Sequence, residues 1–505
     1  MKVKKESDHH SENSSEDKVQ ASSVGWHFDN SYARLPEYFF AKLAPVSVQK
    51  PDIVILNHAL ANSLGLNFDA ISNAEAARVF SGNMLPEGAE PIAQAYSGHQ
   101  FGHFTMLGDG RAILLGELIT PEGSRFDMQL KGSGQTPFSR RGDGRAALAP
   151  MLREYIISEA MYALGIPTTR SLAVVTTGEN VRRETLLPGA ILTRIAASHI
   201  RVGTFEYAAR QSDSVATKIL ADYTIQHHFP DLIETDNRYL CLLNRIIDRQ
   251  AELVTKWLLV GFIHGVMNTD NMSVCGETID YGPCAFMDAY DPNTVFSSID
   301  QYGRYRYSHQ PVMAQWNLAR LAETLLPLID PVQEKALELA GDAIDGFPQI
   351  YQSYWMSGMR KKLGLFTEEA QDTELFTALL TWMQHHYADY TNTFRAFSVE
   401  TLPNDTLFED AEFKAWHGRW QARLARQGYA KSESLELMRA NNPAIIPRNH
   451  RVEEALLAAS EHSDYTVLHK LLSAISKPYD ELTQFNGYRS PPLSSERVYQ
   501  TFCGT

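Results

Sequence analysis

Lys131, Glu154, the run Asn268-Thr269-Asp270-Asn271 and the following Asp280-Tyr281-Gly282 are the residues whose types and spacing suggest chemistry. A lysine near a polyphosphate needs an anion to fix its long side chain and keep it charged, and Glu154, 23 residues on, is the candidate. Glu159 is a rival, five positions further along, so it points to a different side of a helix. Asn271 offers an amide oxygen and Asp280 a carboxylate, the hard donors that Mg²⁺ or Mn²⁺ prefers. Asp270 is then free to polarise an attacking hydroxyl as general base. This is the equipment for phosphoryl or nucleotidyl transfer. Each piece alone has a plainer reading: a surface ion pair for Lys131, ordinary turns for Asn, Asp and Gly. Their order along one chain is the stronger signal. Arg111, Arg194 and Arg201 (with His199 beside it), and Arg140 and Arg141 within 136–143, add guanidinium groups able to clamp phosphate.

The elements that must position these residues follow from periodicity. Gly98, Gly102, Gly108 and Gly110 punctuate 96–111, and 112–118 then reads as a strand. Phe126, Met128 and Leu130 alternate with Asp127, Gln129 and Lys131, so Lys131 faces away from the apolar side of its strand. A helix over about 147–164 carries Glu154 and stops at Gly165 and Pro167. Strands are predicted at 171–176, 190–195 and 273–279, and short helices at 39–43 and 72–80, the latter with Ser72 and Glu75 as a capping box. Helix-like spacing recurs at 215–226, 240–262, 311–328, 376–386, 408–424 and 453–460. The expected organisation is a disordered tail (1–26), an N-terminal extension (27–90), a small α+β lobe (91–197), a mainly helical lobe (198–400), a further helical region wrapped on that lobe (401–490) and a tail (491–505).

Composition bounds the partners. The 505 residues are 44% hydrophobic with net charge −14, enough for a full core and contrary to a general nucleic-acid binder. Residues 1–25 have no apolar segment and no arginine, so neither a secretory nor a mitochondrial leader is read there. The longest apolar stretch, 257–267, is far short of the ~20 residues of a membrane span. Four cysteines, Cys241, Cys275, Cys284 and Cys503, are too sparse for a disulfide scaffold and lack zinc spacing, which suggests a reducing, cytoplasmic setting. Cys503, third from the end, stands out as a thiol with no reason to be buried, able to pair with Cys275 or Cys284.

The strings 96–102, 129–145, 264–272 and 278–288 are long and specific, and through them the chain resembles the selenoprotein O family, as a bacterial cysteine-containing member. The resemblance implies a bilobal protein-kinase-like α+β fold and protein AMPylation. AMP passes from ATP to Ser, Thr or Tyr hydroxyls, pyrophosphate leaves, and ATP lies reversed relative to ordinary kinases. Carried over by motif, Asp270 is the base, Lys131 contacts the phosphates, Glu154 holds Lys131, and Asn271 and Asp280 bind Mg²⁺ or Mn²⁺. Gly108, Gly110, Arg111, Asp143, Gly144, Arg194 and Arg201 join Lys131 around the nucleotide. Relatives suggest redox-linked protein substrates such as glutaredoxin, and a C-terminal thiol that pairs with one in the activation segment. A conventional kinase, an inert nucleotide-binding scaffold and a metal-dependent hydrolase are the rival readings, the last weakened because His264 is isolated.

Overall fold

A computed structural model describes residues 24–211 and 214–502; the tail over 1–23 and Cys503 lie outside the described residues. The small lobe is built on an eight-stranded antiparallel sheet. Its order is Phe40–Lys42, Ile92–Gln94, Ala112–Ile119, Arg125–Lys131, Leu186–Ala196, Arg170–Arg182 and Asp52–Leu56, with Ala146–Ala147 pairing on Leu186–Ala196. Two of these strands come from residues 40–56, ahead of the glycine-punctuated stretch.

The alternation in Arg125–Lys131 divides the sheet into two faces. Met128 and Leu130 pack with Leu115, Leu172 and Ile191 beneath the helices His58–Ser63 and Asn73–Phe80. The opposite face, with Gln129 and Lys131, meets the helix Leu148–Ala163. That helix has almost no polar side, with eleven of its sixteen residues buried, because it is covered twice. The sheet lies on one side and the helices Asn449–His462 and Thr466–Ile475 on the other. Adjacent residues serve the two sides. Glu154 turns to the sheet, while Arg153 donates to Glu453 (2.8 Å), Asn449 (2.7 Å) and the Cys284 carbonyl (2.6 Å).

The helical lobe centres on Arg238–Leu259, packed between Gln310–Ile329 and Phe347–Lys362. Its aromatic outer core includes Trp382, Trp416 and Trp420, from Asp372–His385 and Ala411–Arg426. The C-terminal helices divide between the lobes: Lys431–Asn441 packs on Phe347–Lys362, whereas Asn449–His462 reaches the small lobe. Among the described residues no helix is long and apolar enough to cross a membrane.

Ser72 and Glu75 form the predicted capping box on Asn73–Phe80. Three predicted elements differ. Residues 37–39 form one 3₁₀ turn and Phe40–Lys42 enters the sheet, where backbone pairing with Ile92–Gln94 outweighs helix formation in so short a run. The helix predicted to 262 ends at Leu259, because Gly261 turns at φ +74° and Phe262–Ile263 pairs with Ala285–Phe286. Residues 273–279 form no strand of their own. Their backbone is spent on single bridges, Ser273 to Arg201 and Thr278 to Thr168.

Candidate active site

The short ladder between Phe262–Ile263 and Ala285–Phe286 pins both ends of one loop, 264–284, which carries Asp270, Asn271 and Asp280. The loop is tied to the small lobe as well: Thr278 N–H donates to the Pro167 carbonyl at 2.9 Å and Thr169 N–H to the Thr278 carbonyl at 3.0 Å. His264 is buried at its start and hydrogen-bonds the Ile279 carbonyl through Nε2 (2.9 Å). Burial lowers its pKa, so it stays neutral and structural.

Lys131 Nζ lies 2.6 Å from Glu154 Oε2 and 2.9 Å from Asp280 Oδ1. Glu159 is occupied elsewhere, accepting from Arg170 Nε (2.8 Å) and Nη2 (2.7 Å). Arg194 sits directly across the ladder from Gln129, which accepts from its guanidinium. Its Nη1 reaches Glu154 Oε1 at 3.2 Å and Asp280 Oδ1 at 2.6 Å. Arg201 donates to Asp280 Oδ2 and to the Asp270 carbonyl. Three cations from the small lobe and its edge therefore converge on one carboxylate of the loop. Burial opposes ionisation of Asp280, but Lys131, Arg201 and Arg194 outweigh it and hold the carboxyl well below its usual range. Asp280 itself adopts φ +63°, a left-handed backbone uncommon for a non-glycine residue, which turns its side chain into this ring of cations.

Asp270 has a different environment. Burial pushes its pKa up to about 6, against the lowering charge of Arg201. Its Oδ1 is buried and has no hydrogen-bond partner among the described residues. Asn271 donates its amide N–H to the Val266 carbonyl at 3.0 Å, and its oxygen is the atom that can accept a further hydrogen bond or ligate a cation. Asn271 Oδ1 and the Asp280 carboxylate form an all-oxygen set. It suits a hard divalent cation that keeps its remaining positions for phosphate oxygens and water.

These groups open into a single cleft of about 1050 Å³ between the lobes. Gly108, Gly110, Arg111, Lys131, Asp143, Gly144, Arg194, Arg201, Asp270, Asn271 and Asp280 all line it, as do Arg140 and Arg141. Glu154 stands behind Lys131, 2% exposed. One rim is the segment 136–144 folded on 108–111. Thr136 Oγ1 donates to the Asp109 carbonyl at 2.7 Å, and a side chain at Gly108 would put its first carbon 2.4 Å from the Phe138 ring. Asp143 is held by Arg183 Nη1 at 2.8 Å and accepts from Arg145 N–H at 2.9 Å, so it orders the rim.

Asp109 and Gln129 are polar residues of the site that were not among the sequence candidates. Asp109 accepts from Gln129 Nε2 at 3.0 Å and Gln94 N–H at 3.1 Å, so Gln129 bridges Asp109 to Arg194. The available signals were the alternation that puts Gln129 on the face of Lys131 and the two glycines flanking Asp109. Of the cysteines, Cys241 and Cys275 are free thiols and Cys284 is fully buried. Burial pushes the Cys275 thiol up to about 12.

A family model described as protein adenylyltransferase SelO matches residues 23–476. A protein nucleotidyltransferase YdiU of Syntrophotalea carbinolica is 63% identical over 481 residues, spanning 95% of this chain and 98% of the relative. Counterparts of the same description are 61% identical in Nitrosococcus oceani (95% and 98% covered) and 60% identical in Bacillus cytotoxicus (97% and 100% covered).

Proposed function

Because the chain belongs to the protein adenylyltransferase SelO family, we infer that its cleft transfers AMP from ATP to hydroxyl groups of protein substrates and releases pyrophosphate. The observation that carries the assignment of roles is the convergence of Lys131, Arg194 and Arg201 on Asp280 beside a buried, part-unsatisfied Asp270.

In this reading the acceptor oxygen attacks the α-phosphorus, Asp270 takes the hydroxyl proton, and the bond from the α-phosphorus to the bridging oxygen breaks as pyrophosphate departs. A pKa near 6 leaves Asp270 ionised at neutral pH yet still basic enough to accept a proton. Where the transition state is loose, proton removal is the smaller contribution and charge stabilisation the larger. Lys131, oriented by Glu154, and Arg194, oriented by Gln129, supply that charge from fixed positions. Arg201 joins the two halves of the site, since it touches both Asp280 and the backbone of Asp270. A divalent cation held by Asn271 and Asp280 would neutralise the triphosphate. Gly108, Gly110, Arg111, Asp143 and Gly144 form the rim that receives the remainder of the nucleotide, with ATP reversed so that its α-phosphate faces Asp270.

Isotope partition tests the reading. With α-labelled ATP the acceptor protein carries label; with γ-labelled ATP it does not. Label on the acceptor from γ-labelled ATP alone would overturn it. The Ser, Thr or Tyr acceptors are proposed to include redox-linked proteins of the glutaredoxin kind, tested by an intact-mass shift on such a protein with the Asp270→Asn enzyme as control. Action in the cytoplasm is proposed as well, and cell fractionation tests it. A Cys503 crosslink to Cys275 or Cys284 would require opening of the segments that bury those two thiols. Mass mapping of non-reduced peptides tests it, and Cys503 found only as a thiol under oxidising conditions would remove it.

A further inference from the structure

The hairpin Ser97–Gln100 and His103–Met106 stands apart from the eight-stranded sheet and lies on the loop that carries Asp270. His99 N–H donates to Thr269 Oγ1 at 2.7 Å, and Thr269 Oγ1 donates to Glu206 Oε2 at 2.5 Å. The other carboxylate oxygen of Glu206 pairs with His99 Nδ1, which closes a ring. Its three members come from three elements: the hairpin, the helix Val202–Ala208 and the turn Thr269–Asn271. One residue before Thr269, Phe101 N–H donates to Asn268 Oδ1 at 3.0 Å. The contact has no slack. A side chain at Gly98 would put its first carbon 2.2 Å from Asp270 Oδ1, and one at Gly203 would lie 1.9 Å from the Ser97 carbonyl oxygen.

We propose that His99 is a positioning residue: through Glu206 and Thr269 it sets the Asp270 carboxylate, so that the base is productive only when the hairpin is seated. The proposal rests on the reading of Asp270 as the base and deepens it. A base acts at hydrogen-bond range, and a displacement of about 1 Å costs on the order of a hundredfold in rate. His99, Glu206 and Thr269 do not line the cleft, so their loss falls on turnover and not on ATP affinity.

The test uses the full chain with Mg²⁺. Initial rates of AMP incorporation from α-labelled ATP into lysate protein are measured against ATP concentration for His99→Ala, Thr269→Val, Thr269→Ser and Asp270→Asn. Calorimetry with α,β-methylene ATP and thermal melting accompany them. The expected result for His99→Ala and Thr269→Val is an apparent kcat about a hundredfold lower, with KM for ATP and analogue affinity within about twofold of the parent. Thr269→Ser, which keeps the hydroxyl, recovers most of the rate. The proposal is overturned if His99→Ala keeps kcat within about threefold of the parent, or if analogue affinity falls as far as kcat. If Thr269→Val fails to fold, His99→Ala, at the half-buried edge of the ring, decides. Full activity in Asp270→Asn would instead overturn the reading of the base. An inactive Asp270→Asn beside a fully active His99→Ala removes only the positioning role.

Discussion

Lys131, Arg194 and Arg201 surround Asp280 in the cleft, and Arg360 and Arg423 surround Asp372 among the outer helices, yet the two clusters differ in charge balance and in access to water. Among the described residues, nine lysine and arginine side chains line the cleft against four carboxyls, Asp109, Asp143, Asp270 and Asp280, with Glu154 behind Lys131, and the Asp280 side chain is 20% exposed. Around Asp372 the charges match: Arg360, Arg423 and Arg426 meet Asp372, Glu368 and Glu369, and the Asp372 side chain is fully enclosed. Asp372 also accepts from Glu369 N–H at 3.0 Å, so its acceptor capacity is used within the fold. A closed, balanced cluster joins Phe347–Lys362, Asp372–His385 and Ala411–Arg426. An open cluster with surplus positive charge is stable only because backbone and packing force it together, and the surplus is available to an anionic substrate.

The contrast breaks most sharply under matched substitutions. Asp280→Ala should lower AMP transfer from α-labelled ATP by about a thousandfold or more, since it removes the anchor of three cationic side chains and the carboxylate proposed to hold the divalent cation. Asp372→Ala should leave the rate per folded molecule nearly intact but cost about 3–5 kcal/mol in denaturant unfolding, because Arg360 and Arg423 lose their buried partner. If Asp372→Ala lost activity without losing stability, the division between the clusters would fail. Next in size, Asp270→Asn should slow transfer about 10²–10⁴-fold with binding of the ATP analogue retained, read by the same label assay and calorimetry. Glu154→Gln should reduce kcat/KM about tenfold to a hundredfold, less than Asp280→Ala, because Lys131 keeps its contact with Asp280.

The smallest effect concerns another buried carboxyl. Burial pushes Asp127 up to about 7, against the hydrogen bond from His199 and the charge of Arg125. Between about pH 4 and 7 the folded state then holds a proton that the unfolded chain has released, so stability falls as pH rises through that window. Asp127→Asn, which can still accept from His199, should flatten the unfolding free energy between pH 4 and 7 by an amount on the order of a few kcal/mol. An unchanged pH slope would remove Asp127 as its source.

Much of the site was legible because its chemistry is written in local patterns. Period-two alternation placed Lys131 on the polar face of its strand, and helical spacing placed Glu154 on the helix over that face. The sequence pairs Lys131 with Glu154 and leaves Glu159 as a rival; the packed helix meets Lys131 with Glu154 and turns Glu159 to Arg170. The ladder of Phe262–Ile263 with Ala285–Phe286 was hidden in the sequence. Two residues on each side are too few to show a period, and the preceding apolar helix continues the same hydrophobic run.

The amino-acid order alone determined which groups are available: the lysine and its glutamate, the oxygen donors Asn271 and Asp280, Asp270, and the glycines that let backbones approach. Only the folded chain decided that Arg194 and Arg201 share Asp280, that Gln129 and Asp109 belong to the site, and that the glycine hairpin rests on the loop of Asp270. The physical reason is range. Periodicity and capping act over a few residues, whereas the convergence of charges on Asp280 spans up to 149 positions and depends on how two lobes pack.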